Sequence, residues 1–227
     1  YFGTPADKID VIPNGVDPSP FLALEKVDLG YFRRQYALPE EKIVLYVGRI
    51  VQEKGVEILV RAAPQILSAI PQTKFVIAGK GPETQKIQAL VANLHLWERV
   101  LMPGFISDDE RNRLYKVADC AVFPSLYEPF GIVALEAMAA RTPVVVSEVG
   151  GLREVVRHAE TGITIYPNSV DSCAWGVIHT LQYPEWAQQR VENAYRKVLT
   201  VYNWDTIAEQ TLQVYERVVN ERAHTAW

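Results

Sequence analysis

Six short runs of β-branched and aliphatic residues, separated by segments of helical length, constrain this chain more than any other feature. They are KIVLYVG (42–48), TKFVIAG (73–79), RVLMPG (99–104), DCAVFPS (119–125), TPVVVS (142–147) and TGITIYP (161–167). Apolar residues follow one another in them with little alternation, the pattern of strands buried on both faces. Such strands need helices above and below. The intervening segments supply them: GVEILVRAAPQILSAI (55–70), interrupted by Pro64, the amphipathic ETQKIQALVANLHL (83–96), a helix opened by Ser107, GIVALEAMAA (131–140) and GGLREVVRH (150–158). This alternation predicts an α/β fold, a Rossmann-like doubly wound parallel sheet of about six strands with ligands at the carboxyl ends of the strands.

The rest of the chain frames that unit. Residues 1–22 carry Pro5, Pro13, Pro18, Pro20 and the turn-forming PNGVD, and read as a lead-in linker. Residues 23–203 form the sheet domain, and a helical extension occupies 204–227. The sequence does not begin with Met and is read as a piece of a longer chain. No apolar run of 18 residues occurs, so no membrane span is expected, and the opening residues have no signal-peptide core. A net charge of −4 gives no basic face for nucleic acid. Cys120 and Cys173 fall in a strand and a helix, and read as small core residues of a protein in the reducing cytoplasm.

Several motifs invite chemical readings. YVGRIVQEKG and VIAGKGPE each place glycine where a strand enters a loop, where backbone N–H groups can approach a phosphate. Neither matches GxGxxG or a P-loop, and taken alone each fits an ordinary turn better. Arg49 and Lys54 follow the first strand, where cations could face a diphosphate. The acids of SDDE are better explained by a capping box than by a metal, with Ser107 capping the helix and Glu110 reaching back. His95, His158, His179 and His224 sit in no metal-like or triad spacing and read as surface or helix-end residues.

The sharpest puzzle is YEPFGIVALEAMAA, in which Glu128 lies in the loop before a nearly all-apolar helix and Glu136 is the one charge within it. Either Glu136 points to solvent or a neighbouring cation, or it accepts hydrogen bonds from a ligand's hydroxyls. Residue chemistry stops at a sugar- or nucleotide-binding helix mouth.

The run PSLYEPFGIVALEAMAARTPVVVSEVGGLREVV resembles the carboxyl-terminal domain of retaining glycosyltransferases of family 4, which have the GT-B fold. Their hallmark of two glutamates separated by seven residues falls here on Glu128 and Glu136. The resemblance extends through VIPNGVD, YVGRIVQEKG, IAGKGPE, LMPGFISDDERNRLYKVADCAVFPS and NWDTIAEQTLQVYERV, over nearly the whole chain. It implies that Glu128 lies against the donor sugar, with backbone amides around Phe130, Gly131, Ile132 and Val133 holding sugar hydroxyls and phosphate. Glu136 would take the ribose hydroxyls, and Arg49 and Lys54 the diphosphate, beside Gly48. Phe105 and Ile106 would border the base, and Gly79 and Gly81 would line the cleft.

The resemblance further implies a hexosyltransferase using a UDP-, ADP- or GDP-hexose, with no metal and no other cofactor. An amino-terminal GT-B domain would supply the acceptor site, so this chain by itself would bind nucleotide but transfer sugar poorly. The last helix would brace that domain; without it, Trp204, Leu212 and Tyr215 are left exposed, repacked or covered by self-association. A GT-B epimerase or phosphorylase relative, and a non-catalytic nucleotide- or glycan-binding module, are the competing readings. A dehydrogenase lacks its glycine fingerprint here.

Overall fold

In the computed structural model, residues 3–224 are described. Residues 1–2 of the expected linker and 225–227 of the expected extension lie outside the described residues. The linker carries a 3-10 turn and the short helix α1 (Ser19–Leu22), followed by α2 (Gly30–Arg33). Strand β1 (Lys42–Val47) leads to α3 (Val56–Ala69), β2 (Thr73–Ala78), α4 (Thr84–Asn93), β3 (Val100–Gly104) and α5 (Asp108–Val117). Then come β4 (Cys120–Phe123), α6 (Ile132–Ala139), β5 (Val144–Ser147), α7 (Gly150–Val155) and β6 (Ile163–Ile165). Helices α8 (Val170–Gln182), α9 (Pro184–Thr200) and α10 (Trp204–His224) close the chain.

The six strands are all parallel and lie in the order β3-β2-β1-β4-β5-β6. Chain progression therefore reverses between β1 and β4, and the loops leaving those two strands diverge to opposite faces. A crevice opens there at the strands' carboxyl ends. Successive residues of β1 feed opposite cores: Ile43 and Leu45 join one cluster with residues of α5, α6, α7 and α9, while Val44 and Tyr46 join another with α3, α4 and α8. Cys120 and Cys173 are free and fully buried in the second.

Three local expectations are corrected. Pro64 does not interrupt α3, which is continuous through it. The proline sits on the exposed face while Ala62, Ala63 and Ile66 beside it are buried, so packing outweighs the lost N–H. Ser107 does cap α5, accepting from the Glu110 amide at 3.2 Å, but Glu110 does not reach back: its carboxylate accepts from the Tyr36 phenol. Residues 16–22 are not mere linker either, since Val16 and Phe21 are buried in the first core. Trp204, Leu212 and Tyr215 of α10 are exposed.

Candidate functional site

The loops at the carboxyl ends of the strands are tied to one another by backbone hydrogen bonds. The Gly79 amide donates to Gly104 O (2.7 Å), Gly48 N to Ala78 O (3.0 Å) and Ile50 N to Lys80 O (3.0 Å). Leu126 and Tyr127 donate to Glu53 O (2.8 and 3.1 Å), and Gly151 N donates to Glu128 O (3.0 Å). The loops after five strands are thereby laced in sequence across the crevice. Gly79 shows how closely they approach: at φ +143°, a Cβ there would lie 1.8 Å from Gly48 O, so neither its conformation nor its space admits a side chain.

Two cavities flank Gly48 and Arg49 at the switch point. The first, of about 240 Å³, is lined by Tyr46, Arg49, Lys54, Ser125, Glu128 and Ile132 among others, with Val133. The second, of about 270 Å³, is lined by Gly79, Lys80, Phe105, Ile106, Asp108 and Arg111 beside Gly48 and Arg49. In the first, Lys54 Nζ lies 2.6 Å from Glu128 Oε2, with side chains 20% and 10% exposed, and Ser125 Oγ donates to the same carboxylate at 3.4 Å. Beneath, the buried Tyr46 phenol donates to Arg49 O at 2.8 Å. Burial and then the charge of Glu128 hold that phenol well above its ordinary pKa. The Arg49 side chain is exposed and has no hydrogen-bond or ion-pair partner among the described residues.

The entrance to α6 adds donors. Gly131, at φ +97°, caps the helix without a side chain, and a Cβ there would meet Leu152 at 2.6 Å. The amides of Phe130, Gly131, Ile132 and Val133 find no acceptor among the described residues. Four unpaired N–H groups at a helix start form an anion-attracting surface.

Glu136 is placed differently from its partner acid. It lines neither cavity; its carboxylate is 18% exposed, 3.6 Å from Arg111 Nη1 and 3.3 Å from the Tyr115 hydroxyl that donates to it. Burial raises its pKa, with Arg111 and then Tyr115 opposing. The neighbouring cation weighed from sequence is thus present, and because Arg111 lines the second cavity, Glu136 touches the site through it. Phe130 packs edge-on against Tyr202 (6.4 Å, 73°), outside both linings. Gly81 is also outside them; a Cβ there would lie 2.1 Å from Ile50 O, so it serves loop packing.

Sequence reasoning passed over Lys80, Arg111, Ser125, Tyr46 and Tyr115. Lys80 had a local signal, lying between two glycines after a strand; the others sit in segments that read as plain strand, helix or loop. Gly150 and Gly151 were also passed over: side chains there would meet Glu128 O at 2.1 Å and Phe130 at 2.3 Å, so they hold the Glu128 loop in place. Among the described residues no group of three or more His, Cys, Asp or Glu side chains could hold a metal ion, and no helix is long and apolar enough to cross a membrane.

Comparison with known proteins follows the same lines. The family model for glycosyl transferases group 1 matches residues 31–197. An uncharacterized glycosyltransferase of Methanocaldococcus jannaschii is 46% identical over 217 residues, covering 95% of this chain and 55% of that protein. The chain spans about half the length of the curated relatives it matches. Among solved structures, Anabaena HepE in complex with UDP and glucose superposes with a TM-score of 0.85 at 25% identity, over 95% of this chain and 59% of that one. The carboxyl-terminal domain of a glycosyl transferase group 1 family protein, LpcC of Francisella tularensis, superposes with a TM-score of 0.74 at 26% identity, over 84% of this chain and all of that one.

Proposed function

The chain belongs to the glycosyl transferases of group 1, and we propose that it is the donor-binding half of a retaining hexosyltransferase that uses a nucleotide-diphosphate sugar. The observation that carries this reading is that Arg49, Lys54, Glu128 and the first residues of α6, Ile132 and Val133, line one cavity beside Gly48 at the switch point, with the amides of 130–133 unpaired at that helix entrance. The presence of UDP and glucose in the HepE structure supports the same ligand class.

The chemistry follows from charge. In transfer, the bond between the anomeric carbon and the β-phosphate oxygen breaks, and the sugar passes to an acceptor hydroxyl that the other half of the protein would position. The leaving nucleoside diphosphate gains negative charge. The backbone amides at the α6 entrance are fixed donors, and the unpaired Arg49 side chain is free to join them, so that together they stabilise the separated charge. With those groups and Lys54 in place, a divalent ion is not required for this step. Glu128, held by Lys54 and Ser125, takes the sugar hydroxyls near the reacting face. The second cavity, with Phe105, Ile106 and Gly79, takes the base and ribose, and Glu136 serves it by holding Arg111 in the wall rather than by meeting the ribose itself. Gly81 supports that wall by holding the β2 loop against Ile50.

On this reading the isolated chain binds nucleotide and turns over poorly, the exposed apolar residues of α10 meeting an amino-terminal domain in the longer protein. The two free buried thiols fit a reducing, cytoplasmic setting.

Thermal unfolding with UDP-, ADP- and GDP-glucose tests the proposal. A ligand at a hundred times its Kd adds about 2.7 kcal/mol, and one of the three is expected to raise the midpoint. Arg49→Ala leaves the fold intact and weakens binding by about tenfold, the loss of one charge-assisted contact; Glu136→Ala also weakens it. A well-folded chain whose midpoint responds to none of the three nucleotides overturns the assignment.

A further inference from the structure

A cavity of about 700 Å³, larger than either at the switch point, lies at the edge of the sheet, where β5 and the edge strand β6 run out. Glu148 follows β5, Ile165 and Tyr166 end β6, and Asp171, Ser172 and Trp175 come from the first turns of α8. None of these residues belongs to the donor site.

Two properties of the cavity point to one ligand class. The first is aromatic surface left in water: Tyr166 is 72% and Trp175 48% exposed. The Trp175 ring runs nearly parallel to His158 (6.3 Å, 17°) and His179 (5.2 Å, 16°). Tyr183 lies 4.9 Å from His179, and Trp186 lies 5.3 Å from Tyr183 and 5.9 Å from His179, both half exposed. A ladder of rings thus leads from the cavity down α8 and ends in the triangle of His179, Tyr183 and Trp186 at the first turn of α9.

The second property is polar. The wall carries the carboxylates of Glu148 and Asp171 and the hydroxyls of Thr164, Ser169 and Ser172, with no lysine or arginine in the lining. Carboxylates only accept hydrogen bonds, while hydroxyls both donate and accept. Glu148 is paired with the exposed Arg153 at 3.4 Å, while Asp171 has no cation beside it among the described residues, so the wall offers an anion no net attraction. An apolar peptide would bury Asp171 and the hydroxyls without partners, which is costly. A pyranose fits both properties, presenting a C–H face to an aromatic ring and hydroxyls to the acids and alcohols around it. Because the rings continue beyond the cavity, the ligand is a chain of sugar rings rather than one.

We propose that this edge is a second carbohydrate site, which binds an uncharged oligosaccharide along Tyr166, Trp175 and the ring ladder of α8. The choice of a glycan rests on the transferase reading above; such a site would hold an acceptor or product chain apart from the donor.

Amide and indole NMR shifts on the ¹⁵N-labelled chain test this, with maltoheptaose, cellopentaose, choline chloride, UDP, ADP and GDP as separate titrants. One of the two oligosaccharides is expected to move the Tyr166 and Asp171 amides and the Trp175 indole. Trp175→Ala and Tyr166→Ala are each expected to raise its Kd at least about tenfold, a typical cost of losing one aromatic contact, while the nucleotide that binds the parent still moves Gly48 and Arg49. Tyr166→Ala serves as the second variant because that side chain is largely exposed. If neither oligosaccharide moves these resonances, if choline moves them and the sugars do not, or if both variants bind as the parent does, the proposal is wrong. Oligosaccharide shifts without shifts from any of the three nucleotides would instead refute the donor reading and leave this site standing.

Discussion

Replacing Lys54 by methionine separates a structural from a ligand-binding role at the first cavity. Lys54 and Glu128 meet at 2.6 Å with 20% and 10% of their side chains exposed. At an effective dielectric of about 20, that separation corresponds to a gross attraction of about 6 kcal/mol. Most of it offsets the desolvation of the two ions. Breaking a fully buried pair costs about 3–5 kcal/mol, because the remaining charge is left without a partner. Residual hydration of this pair, together with the Ser125 hydroxyl at 3.4 Å, lowers the expected loss to about 2–3 kcal/mol at pH 7. For a chain of this length that is a fall of about 5–10 °C in midpoint.

Calorimetry or urea unfolding reads it. The double variant Lys54→Met/Glu128→Gln is expected to recover to within about 1 kcal/mol of the parent, since no stranded charge remains. Arg157→Met, at an exposed pair with Glu160, serves as the control and should leave the midpoint nearly unchanged. If Lys54→Met melts with the parent, or the double variant is as unstable as the single one, then Glu128 is not held by Lys54. The carboxylate would not be preorganised for a sugar.

Two further outcomes are expected. Burial, opposed by Arg111, places the folded pKa of Glu136 above its ordinary 4.5, so the folded state binds its proton more tightly than the unfolded state does. Its contribution to stability is therefore fully present below 4.5 and is lost as pH rises through the folded value; Glu136→Gln should raise the midpoint at pH 7, lose that advantage below 4.5, and weaken nucleotide binding. Pro64→Ala restores a backbone donor inside α3 and should raise the urea midpoint by the equivalent of about 1–3 kcal/mol.

The strands were legible because a sheet covered on both faces writes itself as unbroken apolar runs: each of the six runs contains its strand, and all six pair in parallel. What failed depended on partners far away in the chain. Glu110 was expected to reach back along its own helix, but Tyr36 lies 74 residues earlier and takes its carboxylate. Pro64 looked like a break, and only the burial of its neighbours explains a helix that runs through it. At the site, residue types could be read and pairings could not: Lys54 and Glu128 are also 74 residues apart, and Arg111 and Tyr115 reach Glu136 from another helix. The aromatic ladder had a plain signal that went unread, since Trp175, His179 and Tyr183 recur every fourth residue along one helix face.

The backbone bonds that lace five strand-end loops together limit how the ligand preference of this crevice could change. Lengthening any one loop would drag its neighbours, because Gly48, Gly79 and Gly104 are fastened to adjacent segments through main-chain atoms that no substitution removes. Altered preference is therefore more accessible through the side chains those loops display, Lys80 and Phe105 above all, than through insertions or deletions. A library that randomises those two positions at constant loop length should yield folded variants far more often than one that varies loop length.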